Sequence, residues 1–140
     1  MIPYGRQNIT QRDIDAVIDV LKSDYLTQGP VVPAFEQRIC ELTGAAYAVA
    51  ANSATSALHL ACLALGVDAG SRVWTSPISF VASANCALYC GAIIDFVDVE
   101  PDSGNMSVMA LEKKLQHAEE NNQLPQVLIP VHLAGQSCDM

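Results

Sequence analysis

Lysine is scarce in this sequence: among 140 residues there are only Lys22, Lys113 and Lys114. Basic residues number 7 in all against 15 acidic ones, a formal net charge of −8. A chain this poor in positive charge is badly equipped to grip a phosphate backbone, which argues against a nucleic-acid partner. Long hydrophobic runs are missing too. The longest candidate, residues 57–67 (ALHLACLALGV), is interrupted by His59. It falls well short of the roughly 20 residues that a membrane-spanning helix needs, so no membrane partner is expected. The opening MIPYGRQNITQRD has no basic region followed by an apolar stretch, so no secretory leader is expected and the cytoplasm is the default compartment. Neither a GxGxxG fingerprint nor a Walker A spacing occurs. A GxSxG elbow and the Ser-His-Asp order of a hydrolase are also absent.

The five cysteines (Cys40, Cys62, Cys86, Cys90, Cys138) form no CxxC pair. Cys86 and Cys90, four apart in an apolar segment, share one helix face. A metal reading would need further ligands, with His59 or His132 as the nearest candidates. Reduced thiols packed as small hydrophobes are the simpler expectation, and no metal site is assigned.

What the chain does have is apolar material. Hydrophobic residues make up 51% and charged residues 16%, with a mean hydropathy of +0.25. This excludes a disordered tail, and the length is about that of one ordinary domain. Thr10 followed by Gln-Arg-Asp reads as a helix start, its hydroxyl capping early amides, with Ile14, Val17, Ile18 and Leu21 at helical spacing. A turn-rich stretch, DYLTQGPVVP, leads to a second helix from about Ala34 to Thr43, stopped by Gly44.

Beyond these two helices the pattern alternates. Short apolar strands are expected at 47–51, 72–75, 93–97 and 126–131. Helices are expected at 54–65 and 79–90, with a more charged one after Ser107 that turns Val108, Leu111 and Leu115 inward. Strand-helix alternation with near-continuous apolar strands predicts a mostly parallel sheet with helices on both faces, an α/β fold.

Ligands of such sheets gather where strand ends lead into helix N-termini. Four such edges are readable. Asn52-Ser53-Ala54-Thr55-Ser56 offers small residues, hydroxyls and free first-turn amides, the makings of an anion site or of an ordinary cap. Ser76-Pro77-Ile78-Ser79-Phe80 carries an aromatic that could stack on a planar ring or pack in the core. Asp95-Phe96-Val97-Asp98 supplies carboxylates, and His132-Leu133-Ala134-Gly135-Gln136 a histidine that suits proton transfer, stacking or a structural bond.

Together these segments resemble a known family. LTQGP at 26–30, Phe35-Glu36, NSATSALHLACLALG at 52–66, TSPISFVASANCALYCGA at 75–92, FVDVEP at 96–101 and VHLAGQSCDM at 131–140 resemble, in order, the DegT/DnrJ/EryC1/StrS sugar aminotransferases. NSATSAL, TSPISFVASAN and IPYGRQNIT look most like the branch that serves pseudaminic acid biosynthesis. The resemblance implies the large domain of a fold type I transferase that depends on pyridoxal 5'-phosphate. It implies a helical arm at 1–45 and an incomplete cofactor-binding α/β domain at 46–140, cut before the family's Schiff-base lysine. Ala54, Thr55 and Phe80 resemble cofactor contacts, the first two at its phosphate and Phe80 on its ring. Tyr4, Asp24, Tyr25, Leu26 and Thr27, with Ala54, resemble substrate contacts. The implied reaction is amination at C4 of a UDP-linked 4-keto-6-deoxy N-acetyl sugar, with glutamate as donor, in a homodimer. A dehydratase or another nucleotide-sugar aminotransferase of the family is the alternative, and a non-catalytic phosphate or nucleotide-sugar binding module is the alternative of another class. None of the three lysines matches the family's catalytic one in context, so no catalytic residue is assigned here and the 140 residues alone are expected to be inactive.

Overall fold

The computed structural model describes residues 5–140. Its elements are α1 (Gln11–Leu21), α2 (Val31–Thr43), α3 (Ala54–Ala64), β1 (Arg72–Thr75), α4 (Ala82–Tyr89), β2 (Ile93–Phe96), α5 (Val108–Glu120) and β3 (Val127–Ile129). A short 3-10 turn at Leu133–Gly135 follows. Contacts divide the chain into two compact units, one ending at Ala50 and one running from Ala51 to Met140. Among the described residues no helix is long and apolar enough to cross a membrane.

The first unit holds α1 and α2. Thr10 begins α1 in the manner of a cap, but its hydroxyl donates to the Asp13 carboxylate (2.8 Å) and its backbone N–H does the same (2.7 Å). Those bonds hold the Asp13 carboxyl below its ordinary range. Helix α2 starts at Val31, three residues before the expected Ala34. Pro33 falls in the first turn, where a missing N–H costs no helical bond. Gly44 ends α2 at φ +73°, a conformation that favours glycine.

In the second unit the sheet is three-stranded and parallel, in the order β2-β1-β3. Its two faces divide along the central strand by the period of two. Val73 packs with Cys62, Val67, Cys86 and Ala87 under α3 and α4. Trp74 faces the other way, against Val97, Met106 and Ala118 under α5. Helices therefore cover both faces, as the apolar strands predict.

The expected strand at 47–51 does not form. Tyr47 is 90% exposed and Val49 82%, and no strand among the described residues pairs with the segment. A strand is stabilised by a ladder to a neighbour, and an apolar run cannot supply the neighbour. Strand β3 is shorter than its apolar run because Pro130 has no N–H to continue the ladder. Helix α4 starts at Ala82 instead of 79, since the Ser79 hydroxyl turns to Ser83 Oγ (2.7 Å) and the Phe80 carbonyl (3.1 Å).

Candidate functional site: the carboxyl edge of the sheet

Helix α3 fixes where the first candidate loop lies. Its last turn sits at the amino edge of the strands, where the Gln126 side chain donates to the Leu65 carbonyl (2.9 Å) and the Gln126 N–H to the Arg72 carbonyl (2.8 Å). From there α3 runs over the sheet, with Cys62 and then Leu58 in the cluster of Val73, Val127 and Ile129. Its N-terminus thus points to the carboxyl edge, where the loops after β1, β2 and β3 also emerge. The four segments singled out from the sequence share that edge.

Ser53 caps α3 in an extended conformation, its Oγ accepting from the Ser56 N–H (3.1 Å). The amides of Ala54 and Thr55 find no acceptor among the described residues. Two free first-turn donors on a helix of eleven residues, with the positive end of its dipole behind them, suit an anion.

At the end of β1, Thr75 is fully buried and its hydroxyl donates to the Ile129 carbonyl (2.8 Å), tying β1 to β3. Ser76 follows, 1% exposed, and its Oγ is the buried side-chain oxygen without a hydrogen-bond partner among the described residues. A buried hydroxyl without a partner in a well-packed edge calls for a ligand or an ordered water. Phe80 lies just ahead of α4 and is 75% exposed, so the alternative of a packed core phenylalanine is excluded.

Asp95, at the end of β2, is bound by Lys114 of α5 (2.7 Å), whose ammonium also donates to the Phe96 carbonyl (2.6 Å) and lies 4.9 Å from the Trp74 ring centroid. Burial pushes the Asp95 carboxyl up, but hydrogen bonds from Lys114 and the Phe96 N–H, with the charges of Lys114 and Arg72, outweigh it and hold it below its ordinary 3.8. A carboxylate with a lowered folded-state value stabilises the fold above its unfolded value, and the contribution is lost as pH falls through the lowered one. Stability should therefore drop on the acid side below about pH 4, and Asp95→Asn should flatten that slope. The pair is partly exposed, so the expected difference is at most about 1 kcal/mol, read as the shift in urea midpoint between pH 7 and pH 3. A slope unchanged by Asp95→Asn would contradict it.

His132, at the end of β3, is exposed, and its Nδ1 accepts the Cys138 N–H (3.0 Å). Among the cysteines, Cys62, Cys86 and Cys138 are buried. Burial, with the neighbouring Cys86 thiol, pushes the Cys62 thiol up to about 11, which keeps it protonated and inert near neutral pH.

The three residues that resemble cofactor contacts all lie in the second unit, Ala54 and Thr55 in the first turn of α3 and Phe80 in the β1–α4 connection. Asp24, Tyr25, Leu26 and Thr27, which resemble substrate contacts, lie in the first unit, in the α1–α2 connection. There Tyr25 and Leu26 line a cavity of about 480 Å³ with Asp19, Ser23 and Gln28, whereas Asp24 and Thr27 do not. Tyr4 lies outside the described residues. Two residues matter to the edge in ways the sequence does not show. Ser76 opens one of the four segments, but its buried, unmet hydroxyl is visible only in the structure. Asn105, in the β2–α5 connection, is marked by partners 28–32 residues away.

The sequence matches the DegT/DnrJ/EryC1/StrS aminotransferase family over residues 7–140. It is 44% identical over 140 residues to the UDP-4-amino-4,6-dideoxy-N-acetyl-beta-L-altrosamine transaminase of Campylobacter jejuni, covering 100% of this chain and 36% of that protein. In three dimensions it is similar to PseC of Helicobacter pylori, an aminotransferase involved in pseudaminic acid biosynthesis, with a TM-score of 0.83 and 35% identity over 98% of this chain and 36% of that one. The PLP form of the sugar aminotransferase Spr1654 from Streptococcus pneumoniae gives a TM-score of 0.85 at 32% identity, over 99% of this chain and 34% of that one. The chain thus spans about a third of the length of the proteins it matches.

Proposed function

This chain belongs to the DegT/DnrJ/EryC1/StrS aminotransferase family, and on that premise we propose that its carboxyl edge is the phosphate-binding part of a nucleotide-sugar aminotransferase. Aminotransferases of this family use pyridoxal 5'-phosphate. The observation that carries the reading is the start of α3, where Ala54 and Thr55 leave two amides free at the positive end of a helix.

The residues present fit the cofactor. The free amides and the Thr55 hydroxyl supply donors for a phosphate, and Ala54 is small enough for close approach. Phe80 offers an exposed aromatic face to a flat ring. The buried, unpaired hydroxyl of Ser76 gives the same edge a further polar group that lacks a partner. When bound, pyridoxal phosphate supplies an electron sink for the carbon that carries the amino group. The residues of this chain bind and orient that group. Thr55 and the α3 amides fix its charged end, and Phe80 fixes the plane of its ring.

For a chain of the relatives' full length that carries these residues, the reaction is amination at C4 of a UDP-linked 4-keto-6-deoxy N-acetyl sugar, with glutamate as donor. Ala54 and the loop residues Asp24, Tyr25, Leu26 and Thr27, with Tyr4, are its substrate contacts, and the working form is a cytoplasmic homodimer. Within these 140 residues none of the lysines serves as the catalytic amine. Lys22 follows α1 as its cap, Lys113 lies on α5, and Lys114 is tied to Asp95 and the Phe96 carbonyl.

The test uses 15N-glutamate and the 4-keto sugar nucleotide. The full-length chain is expected to place 15N on C4 of the sugar, whereas the 140 residues alone give no turnover. Loss of water from the sugar with no 15N incorporated would identify a dehydratase and overturn the reading. Turnover by the 140 residues alone would overturn the assignment of the lysines.

A further inference from the structure

The proposed cofactor contacts do not use His132 of the carboxyl edge, and the structure holds it in an unusually determined way. The turn that follows it, residues 133–138, is pinned from the β2–α5 connection by a single side chain. Asn105 is 5% exposed, and its Nδ2 donates to the carbonyls of Gln136 (3.1 Å) and Ser137 (3.2 Å) while its Oδ1 accepts the Leu133 N–H (2.9 Å). Because the Leu133 N–H can only donate and the two carbonyls can only accept, this pattern also fixes which way round the amide sits. Gly104, beside it at φ +69°, leaves the space that Leu133 fills: a Cβ there would meet Leu133 Cδ2 at 2.5 Å. The far end of the turn closes on Cys138, buried, with its Sγ on the Val131 carbonyl (3.2 Å) and its N–H given to His132 Nδ1 (3.0 Å).

That last bond selects a tautomer. A nitrogen that accepts a backbone N–H carries no proton, so in the neutral ring the proton lies on Nε2. The histidine itself is exposed. We propose that Asn105 is a positioning residue of the carboxyl edge: by holding the 133–138 turn it keeps His132 in the Nε2–H form, as a hydrogen-bond donor to a ligand oxygen. The chemistry such a donor suits is an anionic or carbonyl oxygen, whether phosphate, carboxylate or phenolate. The proposal rests on the cofactor reading only for the ligand, since the turn and the tautomer belong to the chain alone.

The experiment reads the 140-residue chain by NMR with 15N-labelled histidine, first without ligand and then with pyridoxal phosphate. The wild type is expected to show a single Nε2–H tautomer at His132, with the Leu133 and Cys138 amides protected from hydrogen exchange. Asn105→Ala is expected to give a tautomer mixture and at least tenfold faster exchange at those two amides, with the amides of α3 and α4 unchanged. An Nδ1–H tautomer in the wild type, which needs no variant to fold, overturns the proposal. So does an Asn105→Ala protein that keeps both the tautomer and the protection. On adding pyridoxal phosphate, the His132 Nε2–H signal is expected to move in the wild type. If the Ala54 and Thr55 amides respond while His132 does not, its role as a donor to the ligand fails. If none of the three responds, the cofactor reading fails, and the tautomer still decides the positioning role of Asn105.

Discussion

Replacing Trp74 by alanine is expected to cost about 3–5 kcal/mol of stability, the range for deleting a large buried aromatic. Trp74 sits in the central strand, 3% exposed, and is the largest side chain of the cluster under α5. Its loss removes the surface on which Val97, Met106 and Ala118 meet, and with it the ring beneath the Lys114 ammonium. Domains of ordinary stability hold only about 5–15 kcal/mol in reserve, so the variant is expected to be largely unfolded in modest urea. Far-UV circular dichroism during urea titration checks it, since the chain's one tryptophan is gone. A midpoint corresponding to less than about 1 kcal/mol of loss would contradict the division of the core into two faces around Val73 and Trp74.

The second large effect falls on binding. Thr55→Glu puts a carboxylate at the start of α3, where the cofactor phosphate is proposed to sit. The charge favours the helix, because acidic groups stabilise the first turn, but it opposes a second anion there. Thr55→Ala removes one donor to a charged acceptor, a loss of about 1.5–3 kcal/mol, or roughly 10–150-fold in affinity. Thr55→Glu is expected to abolish measurable binding of pyridoxal phosphate while leaving the thermal midpoint equal or higher. That opposite movement of affinity and stability separates a phosphate site from an ordinary helix cap. Unchanged affinity in both variants would leave Ser53-Ala54-Thr55 as a cap only.

What could be read from the sequence followed from local rules. The starts of α3 and α5 were legible because Ser53 and Ser107 are N-cap residues before apolar helical patterns, and both side chains accept a first-turn amide. The parallel sheet with two covered faces was legible from strands that are apolar on both sides. The segment at 47–51 shows the limit of that argument, since an apolar run says strand while a strand also needs a paired neighbour, and among the described residues this one has none. Pro33 and Pro130 misplaced two boundaries in opposite senses. A proline ends a ladder but is harmless in a helix's first turn, and only the position of the element tells which applies.

At the site, residue types announced Thr55 and Phe80 as candidates, and the resemblance gave them roles. What the structure adds is that Phe80 is exposed and that the Ala54 and Thr55 amides lack acceptors among the described residues. Asn105 could not be weighed beforehand. In sequence it is one more turn residue after a glycine, and its three bonds reach a loop that only the β2-β1-β3 order brings near.

The measurement that bears most directly on the central claim is a titration of the 15N-labelled chain with pyridoxal phosphate, followed through its backbone amides. The amides of Ala54 and Thr55 are expected to shift first and furthest, with inorganic phosphate moving the same two. Saturable binding that moves other amides and leaves these two still would contradict it.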